Sequence, residues 1–376
     1  MLAAGKKRYV ENMKTDRTRR LPLFYTHVIG SLPRPQLVLD VLERKSREKV
    51  MDEMVVFAIR LQEEAGLDVV SDGEWRRRHY TDEFLLRIGG FALVREFQHQ
   101  GETKKALVVT EKMPYKEPLF PREAAFLVSN TQRITKFALP SPFLIGIRYW
   151  DERYSKGAYP TREGFMEHLA AILQSEANSL VQEGIDIVQL DDPALTYFCD
   201  RRLMSGEKIH DERLHKEWDP DREIPLAVRL LNTVAEGLRA EVHLHCCHSV
   251  YRRMSDVKGN YAPLLPRLKD LKVDQLNLEF AYSETGDVQD LKLLPSHLSV
   301  GMGVVDVRTE RASSPEQVAL LGEQGARLLG KARVSLNPDC GFAPDAHEPP
   351  SIDEAFTKLK ILTEGARLLR ERFRHN

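Results

Sequence analysis

With 376 residues, a net charge of −1 and 42% hydrophobic against 30% charged residues, the chain has the balance of a globular protein with an ample core. That charge gives no footing for nucleic acid or an anionic membrane; no apolar stretch approaches the roughly 18 residues that span a bilayer, and no signal-peptide core precedes a cleavage site. Four cysteines in so long a chain suit metal binding or catalysis better than a disulfide framework, so the expected compartment is the cytoplasm.

Residues 1–20 carry a basic run, from Lys6 through Arg17, Arg19 and Arg20, expected to be a solvated N-terminal extension. Glu11 and Asp16 argue against a mitochondrial transit peptide. Residues 21–376 read as a single domain. Candidate strands fall at 24–32, 67–72, 137–145, 185–191, 241–247, 273–279, 298–305 and 334–337. Helical periodicity fits 38–65, 163–183, 225–239, 315–330 and 352–373. The clearest is 163–183, where Phe165, Leu169, Ile172, Ala177 and Leu180 recur about once per turn and Gly184 stops the pattern. Strands and helices alternating in this way predict an α/β fold, a (β/α)8 TIM barrel. Residues 88–125 break the rhythm with alternating segments at 91–94 and 106–109. They read as a hairpin-like insertion after the second strand, covering the barrel mouth.

The strongest chemical signal is EVHLHCCH at 241–248. On a strand alternate side chains share a face, so His243, His245 and Cys247 would point together toward the barrel axis. A His-x-Cys pair at a strand's C-terminal end offers two zinc-type ligands where active sites of this fold form. A buried cysteine is as often a small core residue, and a strand histidine is often simply satisfied. Two further positions shift the balance. Glu279 ends the apolar run of DQLNLEFA, where a carboxylate needs a partner, and Cys340 closes the last strand in LNPDCGF. His245, Cys247, Glu279 and Cys340 are therefore the candidate zinc ligands. Two thiolates and a carboxylate would outweigh Zn²⁺, leaving a poor Lewis acid for hydrolysis but a good holder of a nucleophilic substrate thiolate. A free thiol, with a pKa of about 8.5, is mostly protonated near pH 7, and metal binding corrects that. The expected chemistry is alkyl transfer to sulfur.

Other polar residues mark the remaining strand ends: Ser31 in Ile29-Gly30-Ser31, Glu74 in Asp72-Gly73-Glu74, and Asp191 in Gln189-Leu190-Asp191. The carboxylates could receive a substrate ammonium and Ser31 its carboxylate; alternatively, Glu74 and Asp191 could pair with Arg76, Arg77 or Arg78.

Together THVIGSLPRP, SDGEWRR, VQLDDPAL, VHLHCC and LNPDCG resemble, in order and spacing, the catalytic barrel of the cobalamin-independent methionine synthase family, over most of the chain. The resemblance implies zinc held by His245, Cys247, Glu279 and Cys340. It also implies homocysteine bound through Ser31, Glu74 and Asp191. Three departures stand out. The chain is too short for the additional N-terminal barrel of full-length members. Arg308 in GVVDVRTE occupies the place of the family's catalytic histidine. The tryptophan expected in LPSPFLIGIRYW has no clear equivalent, although Tyr149 and Trp150 are near. Arg308 and Asp191 are the candidate catalytic residues. Arginine does not release a proton at neutral pH, so its fixed charge would contact an anionic group of donor or acceptor. The function implied is methyl transfer to homocysteine, from methylfolate or a methylated corrinoid protein. The alternative is alkylation of another thiol, as in epoxide–coenzyme M transferases.

Overall fold

The computed structural model describes residues 17–43, 48–99, 101–209, 211–214, 216–251, 253–343 and 350–374. Its strands are β1 (Val69–Val70), β2 (Phe91–His99), β3 (Glu102–Val109), β4 (Ile134–Pro140), β5 (Ile187–Asp191), β6 (Glu241–His245), β7 (Val250–Tyr251), β8 (Met254–Ser255), β9 (Gln275–Glu279), β10 (Ser299–Val305) and β11 (Val334–Pro338). Seven of these lie side by side in the order β1-β4-β5-β6-β9-β10-β11, every pairing parallel. Parallel neighbours need crossover connections. Helices such as Arg162–Gln182, Pro220–Ala235 and Pro315–Leu329 provide several of them, and Ile352–Arg374 follows the last strand. The strands are buried along nearly their whole length, as a sheet covered by helices requires. The fold is α/β with a curled parallel sheet.

The expected strand at 24–32 contributes only two bridges, Thr26 to Leu336 in β11 and His27 to Val69 in β1. The next carbonyls are taken by side chains instead. Lys136 Nζ binds the Val28 oxygen, Gln189 Nε2 that of Ile29, and Ser71 Oγ that of Gly30. A second correction concerns 137–145: β4 ends at Pro140 and Pro142–Tyr149 is a helix, started by Ser141 Oγ accepting from Leu144 N with proline in the first turn. The helical stretch 38–65 is divided into Gln36–Glu43 and Glu48–Ala65, and the one at 225–239 starts earlier, at Pro220 behind the Asp219 cap.

β2 and β3 pair as an antiparallel hairpin. Its tip is tied down, His99 bridging to Asp211 and placing its ring nitrogen 3.1 Å from Asp256. At the other end of the sheet Arg17 pairs with Asp186 at 2.9 Å and donates to the carbonyls of Gln132 and Arg133. The last part of the expected solvated extension is therefore docked; residues 1–16 lie outside the described residues. No described helix is long and apolar enough to cross a membrane.

Inside the curl the floor is polar. Gln275 donates to Asn277, Asn277 to Gln189, and Gln189 Nε2 to Asp191, with Lys136 Nζ 2.8 Å from the Gln189 carbonyl oxygen. A Cβ at Gly301 would collide with the amide groups of Asn277, Asn337 and Gln275, so β10 must be glycine there. His243 belongs to this layer, its ring tilted against that of His27 with centroids 5.6 Å apart and bonded to Glu241, below the level of His245.

Candidate functional site

β6 ends at His245, and the loop beyond it is pinned from three sides. Cys246 N donates to the Asn277 carbonyl, Tyr261 OH donates to that of Cys246, and Thr196 Oγ1 to that of Cys247. Ser249, with φ of 55°, completes the turn in the left-handed region that non-glycine residues rarely adopt. Cys340 follows β11, where Asp339 N bonds to Val305 and its Oδ1 accepts from Phe280 N and Ala281 N.

These anchors bring ligand atoms of His245, Cys247 and Cys340 within 4.8 Å of one another, all three residues buried. All four cysteines are free. Asp191 Oδ1 lies 3.0 Å from His245 Nδ1, and Nε2 has no hydrogen-bond partner. A hydrogen bond from Cys340, and then the charge of His245, bring the Cys247 thiol down to about 5 against the cost of burial. The same bond pushes Cys340 well up. Burial alone would lower His245, but the Cys247 thiolate and Asp191 raise it to about 10. Two sulfurs, a buried imidazole nitrogen without a partner and a carboxylate behind that imidazole fit zinc.

Glu279 is not in the group of three. Its Oε1 accepts from Arg308 Nη2 at 2.6 Å, and its Oε2 lies 2.7 Å from His248 Nδ1 and accepts from His248 N. Burial would raise its carboxyl, yet Arg308 and His248 hold it well below the usual carboxylate range. Its charge still acts on both thiols. Arg308 is buried with its Nε on Ser255 Oγ and its guanidinium 5.0 Å from the Tyr282 ring, and it does not line the cavity described next.

A cavity of about 220 Å³ opens over the cluster, and Ser31, Glu74, Asp191, His245, Cys247 and Cys340 all line it. Glu74 sits in the left-handed region with φ of 57°, its N–H bound to Asp72, and it needs Gly30 opposite because a Cβ there would overlap its carboxylate. Burial raises it to about 7, and its Oε2 has no partner. The alternative pairings do not form: Arg76 binds Asp52, and Arg77 donates to the Ala138 carbonyl, acting on Glu74 only through its charge. Ser31 Oγ accepts from Ala343 N. Of the opposite wall only Tyr149 and the hairpin over the mouth were legible beforehand. That wall is built from Tyr80, Arg148 and Tyr149 together with Phe97, Lys104 and Leu107 of the hairpin. Trp150 is turned away, its indole donating to the Tyr159 carbonyl.

Residues 24–367 match the family model described as the catalytic domain of cobalamin-independent synthase. The chain belongs to that family. Methionine synthase from Pyrococcus furiosus is 31% identical over 333 residues, covering 86% of this chain and 87% of that one. Its counterpart from Pyrococcus abyssi is 29% identical over 364 residues, covering 93% and 94%. Among solved structures, a B12-independent methionine synthase from Shewanella sp. W3-18-1, in complex with selenomethionine, superposes with a TM-score of 0.76 at 23% identity, over 94% of this chain and all of that one. A methyltransferase from Methanosarcina mazei reaches 0.59 at 12% identity, over 93% and 95%. At such identities the structural likenesses speak for the fold.

Proposed function

We propose that this family member transfers a methyl group to the thiol of homocysteine, giving methionine, with zinc bound by His245, Cys247 and Cys340. One observation carries the reading. Two thiols and an imidazole with an unpartnered nitrogen share a cavity with Glu74, a carboxylate that has an oxygen to spare. A ligand bearing both a thiol and an ammonium answers both ends. When bound, zinc supplies positive charge that lowers the pKa of the substrate thiol toward neutrality. Asp191 holds His245 at Nδ1, which fixes the ring and leaves Nε2 as the ligand atom. Glu74, once ionised, receives the substrate ammonium together with Asp191. Ser31 and the amides beside it receive the carboxylate. The hairpin β2–β3 over the cavity keeps water from the reacting sulfur. In the reaction the thiol releases its proton on binding, its sulfur forms the bond to the methyl carbon, and the donor leaves with the electron pair of the bond that breaks, taking up a proton where its leaving atom is basic.

We assign Arg308 the task of holding Glu279 rather than moving a proton, which its fixed charge rules out. The same proposal takes the fold as a full (β/α)8 barrel with residues 26–27 at its eighth position, one domain over 21–376, in a cytoplasmic setting suited to free thiols. Methylfolate is the first donor to test, and the matches give a corrinoid protein no support. Alkylation of a sulfonate thiol is disfavoured because it would leave Glu74 and Asp191 with no ammonium to bind.

The test has three parts. Metal analysis should find about one zinc per chain. Titration with homocysteine, followed by X-ray absorption at the zinc edge, should add one sulfur neighbour. Methyltetrahydrofolate, methylcobalamin and a methylated corrinoid protein are then compared as donors. A well-folded chain that takes up no zinc, or zinc that gains no sulfur from homocysteine, ends the proposal.

A further inference from the structure

The cavity has a second charged wall that the homocysteine reading does not use. Arg148, in the last turn of the helix Pro142–Tyr149, lines the cavity and is only 8% exposed. It lies in the segment where the family resemblance leads one to expect a tryptophan. Its guanidinium makes four hydrogen bonds, and every acceptor is a hydroxyl: Nε and Nη2 to Tyr197 OH at 3.0 and 2.7 Å, Nη1 to Tyr80 OH at 3.2 Å, and Nη2 to Ser249 Oγ at 3.2 Å. A guanidinium carries five donors, so one N–H on Nη1 is left over.

No carboxylate among the described residues pairs with it. Two acids act on it through charge: Asp211 is taken by Arg213 in a two-pronged pair, with Nη2 at 2.7 Å, and Asp192, which accepts from Ser141 Oγ, is pushed up to about 7 by burial. Asp82 and Asp256, the acids of this part of the cavity, are engaged by Tyr149 OH and His99. Desolvating an arginine against hydroxyls alone is costly unless a counter-charge arrives. The hydroxyls extend the same surface. Tyr80 and Ser249 both line the cavity, and each oxygen that accepts from Arg148 still has its own proton to donate. Ser249 reaches this position through its left-handed backbone, a strained conformation of the kind that clusters at binding sites. Tyr80 also lies close enough to Cys247 to feel its charge, so a group held here would sit beside the thiol cluster.

We propose that Arg148, Tyr80 and Ser249 form a binding subsite for an oxyanion, a carboxylate or phosphate group carried by the methyl donor. Homocysteine has a single carboxylate, and the reading above gives it to Ser31, so a second anion must come from another molecule. Assigning the anion to the donor rests on that reading; the subsite itself does not.

Inorganic phosphate and acetate are the probes, titrated into the zinc-loaded full chain. Tryptophan fluorescence can follow them, because Trp218 packs 5.5 Å from the Tyr197 ring that carries the Arg148 bonds. We expect saturable binding of at least one of the two, the stronger binder naming the group. Arg148→Met should weaken it about tenfold or more, and Arg148→Lys should retain part of it, since charge-assisted bonds carry the affinity. If Arg148→Met fails to fold, Arg148→Lys and Tyr80→Phe make the same comparison, each expected to weaken the anion measurably. Saturating homocysteine should leave the anion affinity unchanged. Equal affinities in wild type and these variants would overturn the subsite, and competition with homocysteine would overturn its assignment to the donor. Homocysteine binding is read separately from the added sulfur at zinc. Loss of that signal with Arg148-dependent anion binding intact sinks the acceptor reading alone.

Discussion

Beyond β6 and β11, two thiols and an imidazole meet with a ring nitrogen to spare; at the end of β9, Glu279 has a partner for each oxygen. Both clusters are buried and neighbouring, and each acts on the other's charge. In the second, Arg308 satisfies Glu279 at 2.6 Å, while Arg308 Nη1 and Asp339 Oδ2, 3.8 Å apart, make no hydrogen bond, and neither does His248 Nε2. The first is incomplete without something from outside. A buried polar group left unpartnered is expensive, and His245 Nε2 is the one that lines the cavity beside two thiols, where a ligand can reach it. The pair also changes the charge balance: Arg308 offsets Glu279, leaving two thiols and an imidazole to face the zinc proposed there.

The sharpest way to break this contrast is to remove one sulfur inside the cluster, at Cys340, and one outside it, at Cys246. Cys340→Ser should drop zinc from about one per chain toward none and reduce methyl transfer by at least about 100-fold, more than loss of an outer partner would cause. Its thermal transition should persist, because the sheet does not depend on that side chain. Cys246 packs in the apolar core, and Cys246→Ala should keep its zinc. Equal zinc loss in the two variants would mean that the cluster has been misread. Next in size is Arg308→Met. Leaving Glu279 buried without its cation should cost about 3–5 kcal/mol in urea unfolding, with zinc content little changed. If zinc is lost instead, Glu279 belongs to the metal and Arg308 was positioning it there.

How much of this was legible in the sequence follows from locality. His245 and Cys247 lie two apart on one strand end, a pattern alternation makes visible, and Cys340 ends a short apolar run. The pairing of Glu279 with Arg308 and His248 joins residues about 30 positions apart through neighbouring strand ends, which no local pattern encodes. The strand expected at 137–145 was half helix because its apolar run serves either geometry; Ser141-Pro142 was the helix-start signal that divides it. Arg148 lies beyond that run, and its place in the cavity depends on the helix that follows β4. At 24–32 the apolar pattern was real, but side chains from three other elements took the carbonyls a strand would use.

The smallest effect concerns the ammonium end, and its sign follows from Glu74. Burial raises this carboxyl from 4.5 to about 7. Folding therefore favours its protonated form, and stability falls as pH rises from about 4.5 to about 7, by roughly 3 kcal/mol in all. Binding runs the other way, because an ammonium needs the carboxylate. Methionine separates the two, since it offers the ammonium without a titrating thiol. Its affinity for the zinc-loaded chain should climb by up to about tenfold per pH unit below 7 and level off above, staying below the α-amino range near 8. Glu74→Gln should flatten that profile, weaken methionine and yet stabilise the fold above pH 7, as calorimetry and urea unfolding would read. A variant that loses stability and keeps the pH profile would move the ammonium elsewhere, with Asp191 the next carboxylate on the same wall.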